Sequence, residues 1–498
     1  MNIPKEVKQV MDKLKDKGFE SYIVGGCLRD ILLKKEPQDW DITTSARPED
    51  IQKTFKKSFY KNKFLTVTVQ TSSQDPRLKE LEEDKSSSRP FTDVREVEVT
   101  TFRSEAKYTD KRHPDKIKFA KTLKEDLARR DFTVNAMALD LPDKVIDPFS
   151  GQKDLKDKII RTVGNPSERF SEDALRIMRA VRLAAALDFR IEQKTAGAIK
   201  KNAPWLQAVS KERIREEFLK IIMAERAAEG MENLRKLGLL KYIVPELEEG
   251  YGVEQNKHHI YECYEHGLRS LDYAVKKGFN KDVRLAALLH DIGKPKTKRG
   301  KGEDATFYGH EIVGAKMTAQ ILERLKFPKK TIEKIVKLVR YHLFYYNVDE
   351  VTDSSVRRLV RQVGPESMEE LLQVRMADRI GSGVPKAEPY KLRHLKYIIE
   401  KVSQDPISVK RLEVGGRDIM KVLGIQSGPK IGKILYILLG IVLSDPEKNK
   451  KDFLEKEIKK LGKLPEGELD SLGQRAVRER ENLEMKRDEM TKKKYWVT

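Results

Sequence analysis

SYIVGGCLRD (residues 21–30), followed by DWDIT (residues 39–43), decides how this chain is read. The run SYIV is rich in β-formers and stops at a glycine pair, so a short strand is expected to feed a tight turn at Gly25 and Gly26. Bare backbone N–H groups there can approach a phosphate closely, with Arg29 at hand to pair with it. In DWDIT the carboxylates occupy alternate positions of an expected strand, which points Asp39 and Asp41 to one face. Two like charges side by side call for a cation. A hard divalent ion such as Mg²⁺ takes oxygen ligands and keeps room for substrate phosphates, so the pair reads as its seat. Alone, a Gly-Gly pair is more often a plain turn and an Asp-x-Asp more often solvated; their adjacency is what points to a phosphorylated substrate beside a metal.

Working outward, TVTVQ (66–70) and VEVTTF (97–102) alternate apolar and polar residues and are expected to pair as strands, joined by a polar, Ser-rich insertion at 71–93. Glu98 becomes a third carboxylate if its strand lies beside that of Asp39 and Asp41. Three carboxylates can hold two metals, as phosphoryl transfer uses them: one ion activates an attacking hydroxyl, the other steadies the leaving pyrophosphate. From about Asp154 the apolar spacing becomes helical and stays so to the end. The expected fold class is therefore α+β: a small mixed-sheet head at 1–150, then helical segments at 151–245, 246–385 and 386–498.

At 498 residues the chain is too long for one small core. A net charge of +21, from 100 Lys and Arg against 79 Asp and Glu, suits a polyanionic partner. The longest apolar run, Ile434 to Leu443, is broken by Gly440 and falls short of the roughly 20 residues that cross a bilayer. The charged, amphipathic start does not read as a signal peptide, and Cys27 and Cys263 are too few for a disulfide framework. A cytoplasmic protein without a membrane partner is the expectation.

GGCLRD, DWDIT, EVTTFRSEAKYTDKRHP (98–114), EDLARRDFTVNAMALD (125–140) and SEDALRIMRAVRLAAALDF (171–189) follow one another in an order and spacing that resemble the class II tRNA nucleotidyltransferases and bacterial poly(A) polymerases. The resemblance implies a polymerase-beta-like head. It makes Asp39 and Asp41 the Mg²⁺ ligands, Glu98 the third catalytic carboxylate, and Gly25, Gly26 and Arg29 triphosphate contacts. Asp131, with Arg129 and Arg130, would read the ribose, and Arg103 and Asn135 join the nucleotide-binding set. ATP, CTP and tRNA are the implied substrates.

The last motif also has a physical reading. On one helix Asp173, Arg176 and Arg179 recur at three-residue steps along a polar side, with Leu175, Met178 and Val181 toward a core. Salt bridging is the default account. Cytosine and adenine, however, share an amine that donates beside a ring nitrogen that accepts. A fixed Asp173 and Arg176 would match that edge and leave polar groups unpaired against guanine or uracil. By the resemblance these are the base-reading positions, a template made of protein.

A second constellation follows: His266 in HGLRS, His290 and Asp291 in ALLHDIGKP, His310 in YGHE, His342 in YH and Asp378 in ADRIG. It resembles the HD phosphohydrolase superfamily. An isolated histidine on an apolar helix is usually structural, but mixed imidazole and carboxylate ligands in this order suit a divalent metal that activates water on a phosphoester. His266, His290, Asp291 and Asp378 form the basic set, and His310 and His342 would extend it to two metals. His258 and His259 are read as surface residues.

Residues 414–449 read as helix, Ser-Gly-Pro turn, helix, with Lys430 and Lys433 placed to hold a backbone phosphate, in a stretch that resembles the tRNA-gripping end of the same enzymes. The stretch from Glu479 to Lys494 reads as a solvated helix. Leu65 stands where many relatives carry glycine. CCA addition is the leading activity; an A-adding enzyme, a poly(A) polymerase, an HD phosphodiesterase or phosphatase acting on RNA ends, and a catalytically silent RNA-binding protein stay open.

Overall fold

The structure, a computed structural model, describes residues 3–61, 65–71, 96–106, 116–256, 260–348, 350–403, 409 and 412–497. Most of the 71–93 insertion, residues 107–115, His258 and His259 lie outside these. The chain divides into two compact units, Met1–His342 with Glu370–Pro385, and Leu343–Glu369 with Lys386–Thr498.

The first unit opens with a mixed sheet. Its strands are β1 (Ser21–Val24), β2 (Asp41–Thr44), β3 (Ser58–Lys61), β4 (Thr66–Gln70) and β5 (Glu96–Thr101), then β6 (Arg103–Ala106) and β7 (Lys116–Phe119), which form a separate hairpin, and finally β8 (Ala138–Asp140) and β9 (Lys144–Ile146). The seven-stranded order is β3-β4-β5-β2-β1-β8-β9. Every neighbour is antiparallel except β2 and β5, which run parallel. The expected pairing of TVTVQ with VEVTTF is present, with Val67 opposite Val99 and both fully buried. Period-two alternation decides this: Val97 and Val99 enter the core, and Glu98 points the other way. Helix Lys5–Asp16 buries Val7, Val10, Met11 and Leu14, an i, i+3, i+4, i+7 stripe.

After the head the unit is helical. Helix Arg176–Leu187 sinks Ile177, Met178, Ala180, Val181 and Ala184 against helices Lys211–Met223 and Ala227–Lys236, and ends where Asp188 turns left-handed at φ 58°. Helices Cys263–Lys276, Lys281–Leu289, His310–Arg324, Lys329–Tyr341 and Met368–Gly381 complete the unit. No helix among the described residues is long and apolar enough to cross a membrane.

The regular elements of the second unit's described residues are all helices. Ile419, Ile434, Leu438, Leu454, Ile458 and Leu469 anchor its core. The expected helix, turn, helix is present as Gly416–Leu423 and Pro429–Ser444, with Gly428 as N-cap and Pro429 opening the second helix. Its lysines are otherwise engaged than expected: Lys430 donates to the Gly462 carbonyl at 3.0 Å, and Lys433 pairs with Asp470. The stretch from Glu479 to Lys494 lies within one 30-residue helix, Glu466–Tyr495.

Candidate active site

Asp41 opens β2 and sits in register with Glu98 on parallel β5, so both carboxylates leave the sheet on one face. Asp39 is not in the strand, contrary to expectation. It lies exposed in a bend before Trp40, although the ladder reaches back to the Trp40 carbonyl, which accepts from Glu98 N–H at 2.9 Å. Burial pushes the Asp41 carboxyl up to about 6; Arg130 pulls it down, and Glu98 and Asp39 add to the rise. Three acids in mutual repulsion fit a cation better than they fit one another.

Gly25 faces this cluster. It caps helix Gly26–Leu32 with φ 79°, and a Cβ there would stand 3.0 Å from Arg130 Nη1 and 3.3 Å from Asp41 Oδ2. Glycine is needed for conformation and for the close approach alike.

The remaining nucleotide-site candidates are wired together. Arg29 donates to Asn135 Oδ1 at 2.9 Å and pairs with Asp30 at 2.7 Å; Asn135 donates to Asp131 Oδ1 at 3.3 Å; Arg179 reaches Asp131 Oδ2 at 2.7 Å. Burial alone would raise Asp131, but Arg179, Arg176, Asn135 and the Phe132 N–H hold it at about 2. It is an ionised group spanning head and body.

Asp126 is an organiser that the sequence reading passed over. Fully buried, it takes Arg129 on Oδ1 at 2.8 and 3.0 Å, Arg130 on Oδ2 at 3.5 Å, Thr43 of β2 at 3.2 Å and the Arg103 N–H at 3.3 Å. A carboxylate three and four residues before an Arg pair was the available signal.

The single helix expected to carry Asp173, Arg176 and Arg179 is two. Helix Pro166–Glu172 ends at Asp173, which has extended backbone, and the next helix begins at Arg176. The Asp173 carboxylate accepts the Leu175 N–H at 3.1 Å, a local bond that competes with helix continuation. The three side chains also part company: Asp173 pairs with Arg213 at 2.7 Å, Arg176 with Glu172 and the carbonyls of Arg169 and Arg129, Arg179 with Asp131.

The second constellation converges as expected. His266, His290, Asp291 and Asp378 present ligand atoms within 4.8 Å of one another, as do Asp291, His310 and His342, so Asp291 is common to both groups. Four of the six sit at helix boundaries, which lets separate helices aim at one point. His290, His310 and His342 each set Nδ1 against the carbonyl three residues earlier, Ala287, Phe307 and Val339, at 2.7–2.8 Å. A carbonyl only accepts, so Nδ1 carries the proton and Nε2 turns inward to the carboxylates. His310 Nε2 is 3.2 Å and His342 Nε2 3.6 Å from Asp291 Oδ1. Burial disfavours a charge on His290, but Asp291 and Asp378 outweigh it and raise its pKa. Gly293 lets the His290 turn lie against the His310 helix, since a Cβ would fall 2.3 Å from the His310 carbonyl. Lys294, also passed over in sequence, is buried between Asp291 Oδ2 and Gln255 Oε1, at 2.6 Å from each. An acid and imidazole set of this composition fits divalent ions.

Comparison with known proteins now adds a name to the geometry. Residues 21–161 match the Poly A polymerase head domain, 188–250 the "Probable RNA and SrmB-binding site of polymerase A", and 261–381 the HD domain. A CCA-adding enzyme of Enterococcus faecalis is 31% identical over 462 residues, 91% of this chain and 95% of its own. This chain belongs to the CCA-adding enzyme family. The crystal structure of the Bacillus stearothermophilus CCA-adding enzyme in complex with CTP superposes with a TM-score of 0.59 at 27% identity, covering 92% of this chain and 98% of that one. An A-adding tRNA nucleotidyltransferase of Deinococcus radiodurans is 34% identical over 330 residues, 64% of this chain and 74% of its own. The mixed-sheet head and helical body expected from sequence are thus a CCA-adding enzyme fold.

Proposed function

We propose that this member of the CCA-adding enzyme family completes tRNA 3′ ends with C and A from CTP and ATP, without a nucleic-acid template. The observation that carries the reading is the Asp41–Glu98 register beside Asp39, closed over by Gly25. Asp39, Asp41 and Glu98 would hold Mg²⁺, which supplies charge for the α-phosphate and for the attacking hydroxyl. The terminal ribose 3′-oxygen bonds to the α-phosphorus, and the bond to pyrophosphate breaks. The turn at Gly25 and Gly26, with Arg29 and the Arg129–Arg130 pair fixed by Asp126, binds and orients the triphosphate. Asp131 and Asn135 order the junction behind it. Asp173 and Arg176 select the base, with Arg213 holding the Asp173 carboxylate in place while Arg176 leaves Glu172 when a nucleotide enters.

In this reading residues 1–150 are the catalytic head, 151–245 the base-selecting and RNA-binding body, 246–385 the HD segment and 386–498 the tRNA-binding end, in a cytoplasmic enzyme that keeps both cysteines free. The His266–His290–Asp291–Asp378 cluster, extended by His310 and His342, supports an additional phosphohydrolase activity with a divalent metal. The likeness to an A-adding enzyme favours one rival, addition of the terminal A alone. Labelled CTP and ATP, offered singly and together to tRNA ending before CCA, to tRNA ending in CC and to unstructured RNA, separate the activities. Two C and one A on the first RNA support the proposal. A single A confined to the second makes the protein A-adding, and long A tails on the third make it a poly(A) polymerase. Loss of incorporation in a His290→Ala, Asp291→Ala variant would move the main activity to the HD segment.

A further inference from the structure

Of the four imidazoles in the second cluster, those of His266 and His290 are fully buried and that of His342 is 2% exposed, whereas that of His310 is 8% exposed. Solvent therefore reaches these rings on the His310 side. Residues 307–310 make a tight turn there: the Phe307 carbonyl accepts from the His310 backbone N–H at 3.2 Å and faces its Nδ1 at 2.7 Å, and Gly309 is left-handed at φ 75°. The turn that fixes the imidazole carries Tyr308 at its tip. That side chain is 85% exposed, more than any other large hydrophobic among the described residues. Ile312, two residues beyond His310, is exposed as well, so apolar side chains bracket the ligand.

A single exposed tyrosine is ordinary on a protein surface. Position sets this one apart. The turn needs a glycine at 309 for its left-handed backbone, but it makes no demand for an aromatic ring at 308, where a small polar residue would serve. The ring is also tethered, because the turn that carries it is held by the same Phe307 carbonyl that orients His310. Two residues span at most about 7 Å of chain, about the reach of a sugar between its base and its phosphate. An aromatic face at that reach from a phosphoester site has a chemical complement, since unpaired bases stack on aromatic side chains.

We propose that Tyr308 receives the base of a nucleoside phosphoester whose phosphate lies at the second cluster, so that this site prefers phosphates carried on nucleosides, RNA ends included, to phosphates on plain alcohols. The inference rests on the additional phosphohydrolase activity proposed above. In that hydrolysis a water oxygen bonds to phosphorus, the ester bond to the ribose oxygen breaks, and the ribose oxygen leaves with a proton. Tyr308 touches the base alone, so it governs binding and leaves the chemical step untouched.

The test uses the full-length protein, treated with chelator and loaded in turn with Mn²⁺, Co²⁺, Ni²⁺ and Zn²⁺. Phosphate release is followed from adenosine 3′-monophosphate and from glycerol 2-phosphate, both secondary phosphate esters, of which only the first bears a base. Tyr308→Ala is expected to raise KM for the adenosine ester by about tenfold with kcat unchanged, and to leave both constants for the glycerol ester alone. Tyr308→Phe, which keeps the ring, should stay within about twofold of the wild type on both. A second readout needs no turnover: in Tyr308→Trp, adenosine 3′-monophosphate should quench fluorescence beyond any change in the wild type, and glycerol 2-phosphate should not. An unchanged KM for the adenosine ester in Tyr308→Ala would overturn the proposal. Equal rises for the two esters would overturn it too, because Tyr308 would then only shape the turn. Should neither ester be hydrolysed with any of the ions, the phosphohydrolase reading falls by itself; the quench then decides the base contact, its presence supporting Tyr308 and its absence overturning it.

Discussion

Asp41 stands directly across from Glu98 on adjacent parallel strands, the only parallel pair of the seven-stranded sheet among the described residues. Val97 and Val99 of the Glu98 strand and Val67 of its antiparallel neighbour are buried, so the apolar face of the sheet fixes this register. A slip of one residue would turn Glu98 into the core.

That geometry sets function against stability. The Asp41 carboxyl, raised to about 6 chiefly by burial, binds its proton more tightly in the folded chain than in the unfolded one. Ionising it therefore costs stability, a cost that grows as pH rises from about 4 to about 6 and is constant above. Asp41→Asn should abolish nucleotide addition yet raise the melting temperature of the metal-free protein by about 2–4 °C at pH 8, with no gain at pH 4. A variant that is less stable at pH 8 than the parent would contradict the account.

Asp126 orders Arg129 and Arg130, the arginines proposed to orient the triphosphate. Burial opposes its charge, but Arg129 and Arg130 keep it ionised. Asp126→Asn preserves shape and removes that charge, which should cost on the order of 2 kcal/mol of stability and lower kcat/KM for CTP by about 100-fold through misplaced guanidinium groups. Steady-state kinetics below the melting transition check this, and full activity in the folded variant would exclude a positioning role.

Arg213 holds the Asp173 carboxylate, proposed above to read the base, at 2.7 Å and so fixes its position. Arg213→Ala should relax the preference for CTP and ATP over UTP and GTP by roughly tenfold, about 1.4 kcal/mol, with tRNA affinity unchanged. Misincorporation counted on a tRNA ending before CCA is the readout. Unaltered discrimination would assign Arg213 to packing alone.

In the HD cluster the imidazole of His290 is raised by Asp291 and Asp378, so the metal-free cluster favours the imidazolium, which must lose its proton to ligate. A divalent ion added to chelator-treated protein at pH 8 should release about one proton, and its affinity should rise with pH. Calorimetry in buffers of different ionisation enthalpy measures the release. Binding without proton release would remove His290 from the ligand set.

Much of the site was legible because its signals are local. A glycine pair after a strand, an Asp-x-Asp, and strict alternation through Val97, Glu98 and Val99 specify the head, and the spaced His and Asp residues specify the second cluster. The helix break at Asp173 was hidden, since the apolar spacing runs on through Leu175 and Met178 while one side chain to backbone bond ends the helix. Asp126 and Lys294 were hidden for another reason: their importance comes from burial among partners distant in sequence, Thr43 and Arg103 for one and Gln255 for the other. Leu65 shows the reverse. The suspected glycine position proves to need φ 53°, a left-handed backbone that costs leucine about 1 kcal/mol or more.

The central claim is that Asp39, Asp41 and Glu98 form the centre that extends tRNA. The most direct measurement is incorporation of labelled CTP and ATP into tRNA ending before CCA by the wild type, by Asp39→Ala with Asp41→Ala, and by Glu98→Ala. The account predicts two C followed by one A in the wild type, none in the double variant, and a loss of at least 100-fold in Glu98→Ala. Wild-type levels of addition by the double variant would contradict it.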